Sequence, residues 1–177
     1  MIDAPARESP RFPPSLVPAA AARVAQVLAV AGAGPRDRAF SQAAAGGDLL
    51  FLEACMARGV RSQVLLPFPE PEFVERSIMP SAGGAAWRER WLAVKARLSD
   101  APRIMPDELG PMPTGEDPYT RCNQWLLRCA LAWGAERLRF ICLWNGAGGD
   151  GPGGTAHMVR EVERLGGQVD WIDTRGL

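Results

Sequence analysis

The densest chemistry in the chain lies in Gly146-Ala147-Gly148-Gly149-Asp150-Gly151-Pro152-Gly153-Gly154-Thr155, between an apolar run and an amphipathic one. Glycines let backbone amides approach a ligand closely, and a following helix start offers unpaired N–H groups and a partial positive charge. Thr155 can cap that helix or hydrogen-bond a phosphate oxygen. The two readings are an anion cradle and an ordinary glycine turn. No Gly-Lys-Ser/Thr follows, which excludes a Walker loop, and the traceable GxGxxG, lying at the last strand pair and not the first, is weak evidence for NAD. Ala45-Gly46-Gly47-Asp48 repeats the design earlier, with Asp48 as a plain N-cap or a ligand contact. Two such turns suggest a site for an anionic, phosphate-bearing ligand.

Arg121 and Asn123 come early in a strong helical pattern. A guanidinium there could clamp a phosphate or carboxylate, and an Asn could read a base or ribose edge; the bland alternative is a solvated helix surface. Asp107, Glu108, Glu116 and Asp117 could supply a general base or hold a ribose hydroxyl, although acids are common in loops. His157 follows the glycine loop as a ligand contact or a surface side chain. The pairs Trp87/Trp91 and Trp125/Trp133 read as core packing.

Counts narrow the chemistry. The 177 residues carry 20 basic and 20 acidic side chains, four Cys and one His. This length suits one domain burying about 70% of its unfolded surface. The balanced charge argues against a nucleic-acid partner or an anionic membrane. Lys95 is the only Lys, leaving one position for a Walker or Schiff-base lysine. With His157 alone, a His-rich metal site is excluded and no metal is expected. No apolar stretch reaches the roughly 20 residues of a membrane helix. The first ten residues lack a signal-peptide layout. Cys55, Cys122, Cys129 and Cys142 show no CxxC spacing and read as thiols in a reducing cytoplasm.

The elements that must position these residues alternate. Residues 1–14 read as a coil and 15–177 as a single domain. Ser15 can cap a helix with Leu16, Ala20, Val24, Val27, Leu28 and Ala31 on one face, ended by Gly32 and Pro35. A strand is expected near 38–44, a helix over 48–58 and a fully covered strand over 63–68. A short helix follows the prolines, then a helix bearing Trp87, Trp91, Val94 and Leu98. A strand over 102–105 leads into a long irregular segment, 106–118, of the kind that forms lids or binding loops. Asp117 and Pro118 open the strongest helix, with Cys122, Trp125, Leu126, Cys129 and Trp133 as its buried stripe. A buried strand over 139–145, a helix over 155–165 and a strand over 168–173 complete the chain. The expected fold is α/β, Rossmann-like and doubly wound: a mostly parallel sheet of about five strands with helices on both faces. Ligands on such sheets bind beyond the strands' carboxyl ends.

Several segments together resemble a known group. GGDLLFLEACMARG, QVLLPFPEPEFVERSI, MPDELGP, PYTRCNQWLLRCALAWG and WNGAGGDGPGGTAHMV are similar to the Rossmann-like SLOG superfamily, in its bacterial branch found beside tetratricopeptide repeats or cyclase signalling domains. The resemblance extends over nearly the whole chain. It implies a sensor or processor of nucleotide-derived ligands, with Gly46, Gly47, Asp48, Pro67, Phe68, Ser77, Arg121, Asn123, Gly151, Pro152, Gly153, Gly154 and Thr155 lining the site. The superfamily includes phosphoribohydrolases with a PGGxGTxxE pattern. Here Met158 stands three residues beyond Thr155 and the acid, Glu161, comes one turn later. Asn145 and Cys122 stand where relatives carry Asp and Asn. Relatives also open with an apolar strand and a Ser-Gly-His turn ahead of the segment that reads MIDAPARESPRFP here, so a strand at the sheet centre is expected to be missing.

Three functions follow as expectations. The first is a cytoplasmic sensor domain for a nucleotide-like ligand, read by a signalling partner protein, with no cofactor firmly implied. The second is a nucleotide N-glycosidic hydrolase using Glu161, Glu108 or Glu116. The third is an interaction scaffold without a ligand.

Overall fold

A computed structural model describes residues 1–5, 7–147 and 154–177. The chain runs α1 (Val17–Val30), β1 (Arg38–Ser41), α2 (Gly47–Ala57), β2 (Arg61–Leu66), α3 (Glu70–Ser77) and α4 (Gly84–Ala96). It continues through β3 (Arg103–Ile104), α5 (Met105–Leu109), α6 (Pro118–Leu131), β4 (Arg139–Trp144), α7 (Thr155–Arg164) and β5 (Gln168–Asp173). All pairings are parallel, as an alternation of strands and helices requires.

The fold is α/β, but the strands form two small sheets instead of one. β1, β2 and β3 make a three-stranded sheet, and β4 with β5 a two-stranded one. Among the described residues, no strand ladder joins β1 to β4. The expected continuous five-stranded sheet is corrected accordingly: strands share a sheet only where their backbones hydrogen-bond to one another, and among the described residues β1 pairs with β2 and β4 with β5.

Side-chain alternation explains how the three-stranded sheet is covered. Successive strand residues point to opposite faces. Val64 and Leu66 of β2 join the largest core with Leu49, Leu50 and Leu52 of α2, Phe73 of α3 and Trp87, Trp91 and Val94 of α4. Leu65, between them, faces Cys122 and Trp125 of α6. Phe40 of β1 packs on that α6 side, while Ala39 joins Val24 and Leu28 of α1. The same α1 residues cluster with Ile172 of β5, and Ile141 and Leu143 of β4 pack against that cluster. One helix therefore spans both sheets.

Several boundaries shift from the sequence expectation. α1 begins after a 3-10 turn over Pro14–Leu16, and Ser15 makes no cap. β3 has only two residues, because Pro106 and the acids after it suit a helix first turn and start α5. The segment expected to be irregular therefore begins as a helix. Trp133 lies beyond the end of α6 and is half exposed, with the Arg38 guanidinium 4.9 Å from its ring centre; it is not core. β4 was expected to be buried, yet only Cys142 is. The first residues, where described, dock on the rest of the molecule. Ile2 and Phe12 are buried, the Asp3 carboxylate accepts the Arg11 and Phe12 amides at 2.8 Å each, and Thr174 Oγ1 donates to the Arg11 carbonyl at 3.0 Å.

The cysteines form no disulfide. Burial pushes the Cys55, Cys122 and Cys142 thiols from 9.0 up to about 12 each. At pH 8 a thiol-reactive chromogenic reagent should therefore titrate one cysteine, the half-buried Cys129, in the native protein and four after denaturation. Because the folded values are raised, the stability linked to these thiols is complete below about pH 9 and is lost as the pH climbs toward 12. Three fast-reacting thiols in the native protein would contradict a closed core.

Candidate functional site

Polar side chains converge at the carboxyl ends of β1 and β2, and α6 draws them together. Asp117 caps α6 by accepting the Thr120 amide at 2.7 Å, and Pro118 occupies its first turn. Tyr119 and Asn123, four residues apart, share one helix face. The Tyr119 hydroxyl lies 2.9 Å from Ser77 Oγ at the end of α3, and its ring meets Phe68 edge-on with centres 5.5 Å apart. Asn123 Oδ1 accepts from Gln42 Nε2 at 2.6 Å, just past β1. Ser77 also accepts the Ala45 amide through its backbone carbonyl at 3.0 Å, joining the β1 loop to α3. Pro67 and Phe68 directly follow β2, and the Arg76 guanidinium lies over the Phe68 ring.

The backbone between β1 and α2 is unusual. Ala43 is fully buried and adopts φ of 64°, a left-handed conformation that costs a non-glycine residue of order 1 kcal/mol or more. Such strain is stored where the surrounding structure demands it. Gly46 follows at φ 106°, and a Cβ there would meet the Ile2 nitrogen at 2.6 Å. A Cβ on Gly47 would sit 3.2 Å from a Leu143 methyl at the end of β4. These two glycines therefore accommodate the chain start and the neighbouring sheet. Asp48 lies inside the first turn of α2, with Gly46 as the N-cap, and its carboxylate accepts the Ala44 amide at 3.3 Å. It steadies the strained loop without capping the helix.

The remaining candidates are placed elsewhere. Arg121 is two residues from both Tyr119 and Asn123, so helical geometry turns it to the opposite side. Its guanidinium donates to the carbonyls of Leu109 at 2.9 Å and Pro111 at 3.0 Å, with Glu116 3.8 Å away. It anchors the segment before α6. Glu108 accepts from Arg103 Nε at 2.9 Å and Nη2 at 2.7 Å. Glu161 pairs with Arg164 on α7 at 2.8 Å. These hydrogen bonds hold the Glu108 and Glu161 carboxyls below the usual range, opposite to what a general acid needs.

Gly154 is the N-cap of α7, with an extended backbone, and Thr155 is its first residue; the Gly154 carbonyl accepts the His157 and Met158 amides. Gly151, Pro152 and Gly153 lie outside the described residues. A Cβ on Gly47 would approach Leu143 near the end of β4, so the turn between β1 and α2 lies beside the carboxyl end of β4.

The structure thus brings Gly46, Gly47, Asp48, Pro67, Phe68, Ser77 and Asn123 to one end of the strands and turns Arg121 away. Gln42 and Tyr119 were missed by sequence reasoning. Tyr119 could have been found from its spacing to Asn123; Gln42 carried no local signal. No group of three or more His, Cys, Asp or Glu that could hold a metal occurs among the described residues. No described helix is long and apolar enough to cross a membrane. No family model, curated protein or solved structure matches the chain.

Proposed function

We propose that the chain is a sensor domain of SLOG type that binds a nucleotide or nucleotide-derived ligand beyond the carboxyl ends of its strands. The convergence of Gln42–Asn123 and Ser77–Tyr119 beside the strained Ala43 turn carries this reading, because it concentrates donors and acceptors where parallel α/β sheets bind ligands. Asp48, Gln42 and Asn123 take the ribose and base edges, and the ring of Phe68 or Tyr119 offers an apolar wall. The phosphate goes to the α7 start at Gly154 and Thr155, where the amides of a first helical turn favour an anion. In this reading both sheets are halves of one Rossmann-like layer, Arg121 orders the loop over the site, and a signalling partner reads the bound state in a reducing cytoplasm.

The test is a thermal-shift screen of the full-length protein against nucleoside mono- and diphosphates and their cyclic and NAD-derived relatives, with chromatography for released base. A ligand at 100 times its Kd should stabilise by about 2.7 kcal/mol, raising Tm by about 5–10 °C at this chain length. Asn123→Leu should abolish the shift while leaving the ligand-free Tm within about 3 °C. No shift with any ligand overturns the reading. Free base in the eluate would favour a hydrolase.

A further inference from the structure

The amino ends of β1 and β2 carry positive charge that the fold leaves unmatched. Arg38 and Arg61 open these strands and are register partners, so their side chains start from adjacent backbones. Arg36 lies two residues before Arg38, and Arg97 is the C-cap of α4. All four are exposed. Among the described residues none of them pairs with a carboxylate, whereas Arg90, Arg103, Arg139 and Arg175 each do. The acids nearest to them in sequence are Asp100 and Asp37, whose carboxylate accepts the Gly34 amide at 2.8 Å.

Helix dipoles account for part of this charge. A cation at a helix carboxyl end offsets the partial negative charge there, which suits Arg58 and Arg97, the C-caps of α2 and α4. Arg36, Arg38 and Arg61 stand on no helix. Arg61 and Arg97 instead line one open cavity of about 190 Å³, together with the hydroxyl residues Ser62 and Ser99 and the apolar Met56 and Leu98. Beside it, the Arg38 guanidinium lies over the half-exposed ring of Trp133.

We propose that this face docks an acidic segment of a partner protein, with carboxylates on Arg38, Arg61 and Arg97 and an apolar side chain in the cavity against Met56 and Leu98. Planar guanidiniums match carboxylates with two hydrogen bonds each, and Arg and Trp are the side chains that most often anchor interfaces. A free phosphate fits less well, because its dense charge would sit against the carbonyl ends of α2 and α4. An acidic segment spreads its charge over several arginines and uses the apolar wall as well. The face lies at the opposite end of the strands from Gln42 and Asn123, so a docked partner leaves the polar cluster open. This gives the partner invoked above a docking face, yet the docking itself requires no nucleotide.

The experiment follows the fluorescence anisotropy of a labelled peptide of Glu-Glu-Leu repeats as the full chain is added. Binding with a Kd on the order of 10–100 µM is expected at low salt, weakening at least about 5-fold when the ionic strength rises to about 0.3 M. Arg61→Glu combined with Arg97→Glu should weaken it at least about 10-fold. The milder pair Arg61→Gln and Arg97→Gln should weaken it at least about 3-fold, with Tm within about 3 °C of the parent. Arg160→Glu, on α7, should leave binding unchanged. Peptides of Gln-Gln-Leu or Glu-Glu-Ser repeats, which lack the charge or the apolar anchor, should bind at least about 5-fold more weakly. Five results overturn the proposal: no binding of the Glu-Glu-Leu peptide, undiminished binding by the double variants, an equal loss in Arg160→Glu, equal binding of either control peptide, or tighter binding of inorganic phosphate or a single-stranded oligonucleotide. The titration contains no nucleotide ligand, so its failure is distinct from failure of the thermal-shift screen.

Discussion

Trp91→Ala should be the most damaging single truncation in the protein, lowering stability by about 3–5 kcal/mol. Trp91 is 0% exposed, and its ring lies 6.2 Å from that of Phe73. It belongs to the core that joins α2, α3 and α4 to β2. Its indole N–H donates to Glu70 Oε1 at 3.3 Å, and the same oxygen takes the Lys95 ammonium at 2.9 Å. Alanine leaves a cavity at the junction of three helices and removes one partner of Glu70. At this chain length the loss corresponds to a Tm drop of about 6–20 °C, measurable by calorimetry or urea unfolding. Trp91→Phe, which keeps most of the volume and loses the N–H, should cost less than half as much. Equal effects of the two variants would mean that the Glu70 contact, not packing, holds this junction. Because Ser77 ends the α3 helix packed here, Trp91→Ala should also loosen the Ser77–Tyr119 contact.

Gly46→Ala should cost about 2–4 kcal/mol despite adding a single methyl group. The backbone at φ 106° and ψ −127° is one that L side chains rarely adopt, and the new Cβ would lie 2.6 Å from a backbone nitrogen. That nitrogen belongs to Ile2 and is itself hydrogen-bonded to Ala45, so it cannot move without breaking the anchor of the first residues. Gly83→Ala is the control: φ is 75°, but nothing lies within 4 Å of the added carbon, and a cost of about 1 kcal/mol is expected. Similar Tm losses for the two variants would show that conformation alone, and not the approach of Ile2, makes glycine necessary at 46. If ligand binding needs the turn, Gly46→Ala should also weaken the nucleotide-induced shift.

Local patterns were sufficient for much of the fold. Helical spacing placed Trp87, Trp91 and Val94 on a buried face, and the Asp117-Pro118 pair opened α6 where expected. The apolar run of β2 correctly implied cover on both faces, since Val64 and Leu66 meet one helical layer and Leu65 the other. The equally apolar β4 misled for a reason outside its own residues: burial depends on neighbours, and among the described residues β4 pairs with β5 on one edge alone. Arg121 and Asn123 were grouped because they are close in sequence. Two residues along a helix they face apart, and only Asn123 joins the polar cluster.

By itself the sequence determined the alternation of strands and helices, the parallel pairing this entails, the shortage of Lys and His that closes off several chemistries, and the glycine turn ahead of α2. These follow from periodicity, composition and local backbone preference, which neighbouring residues decide. Only the tertiary structure decided that the strands fall into two sheets, that the first residues dock on Gly46, that Gln42 meets Asn123 across 81 positions, and that the candidate acids Glu108 and Glu161 are neutralised by Arg partners. Those outcomes depend on contacts between distant segments, whose geometry no local pattern encodes.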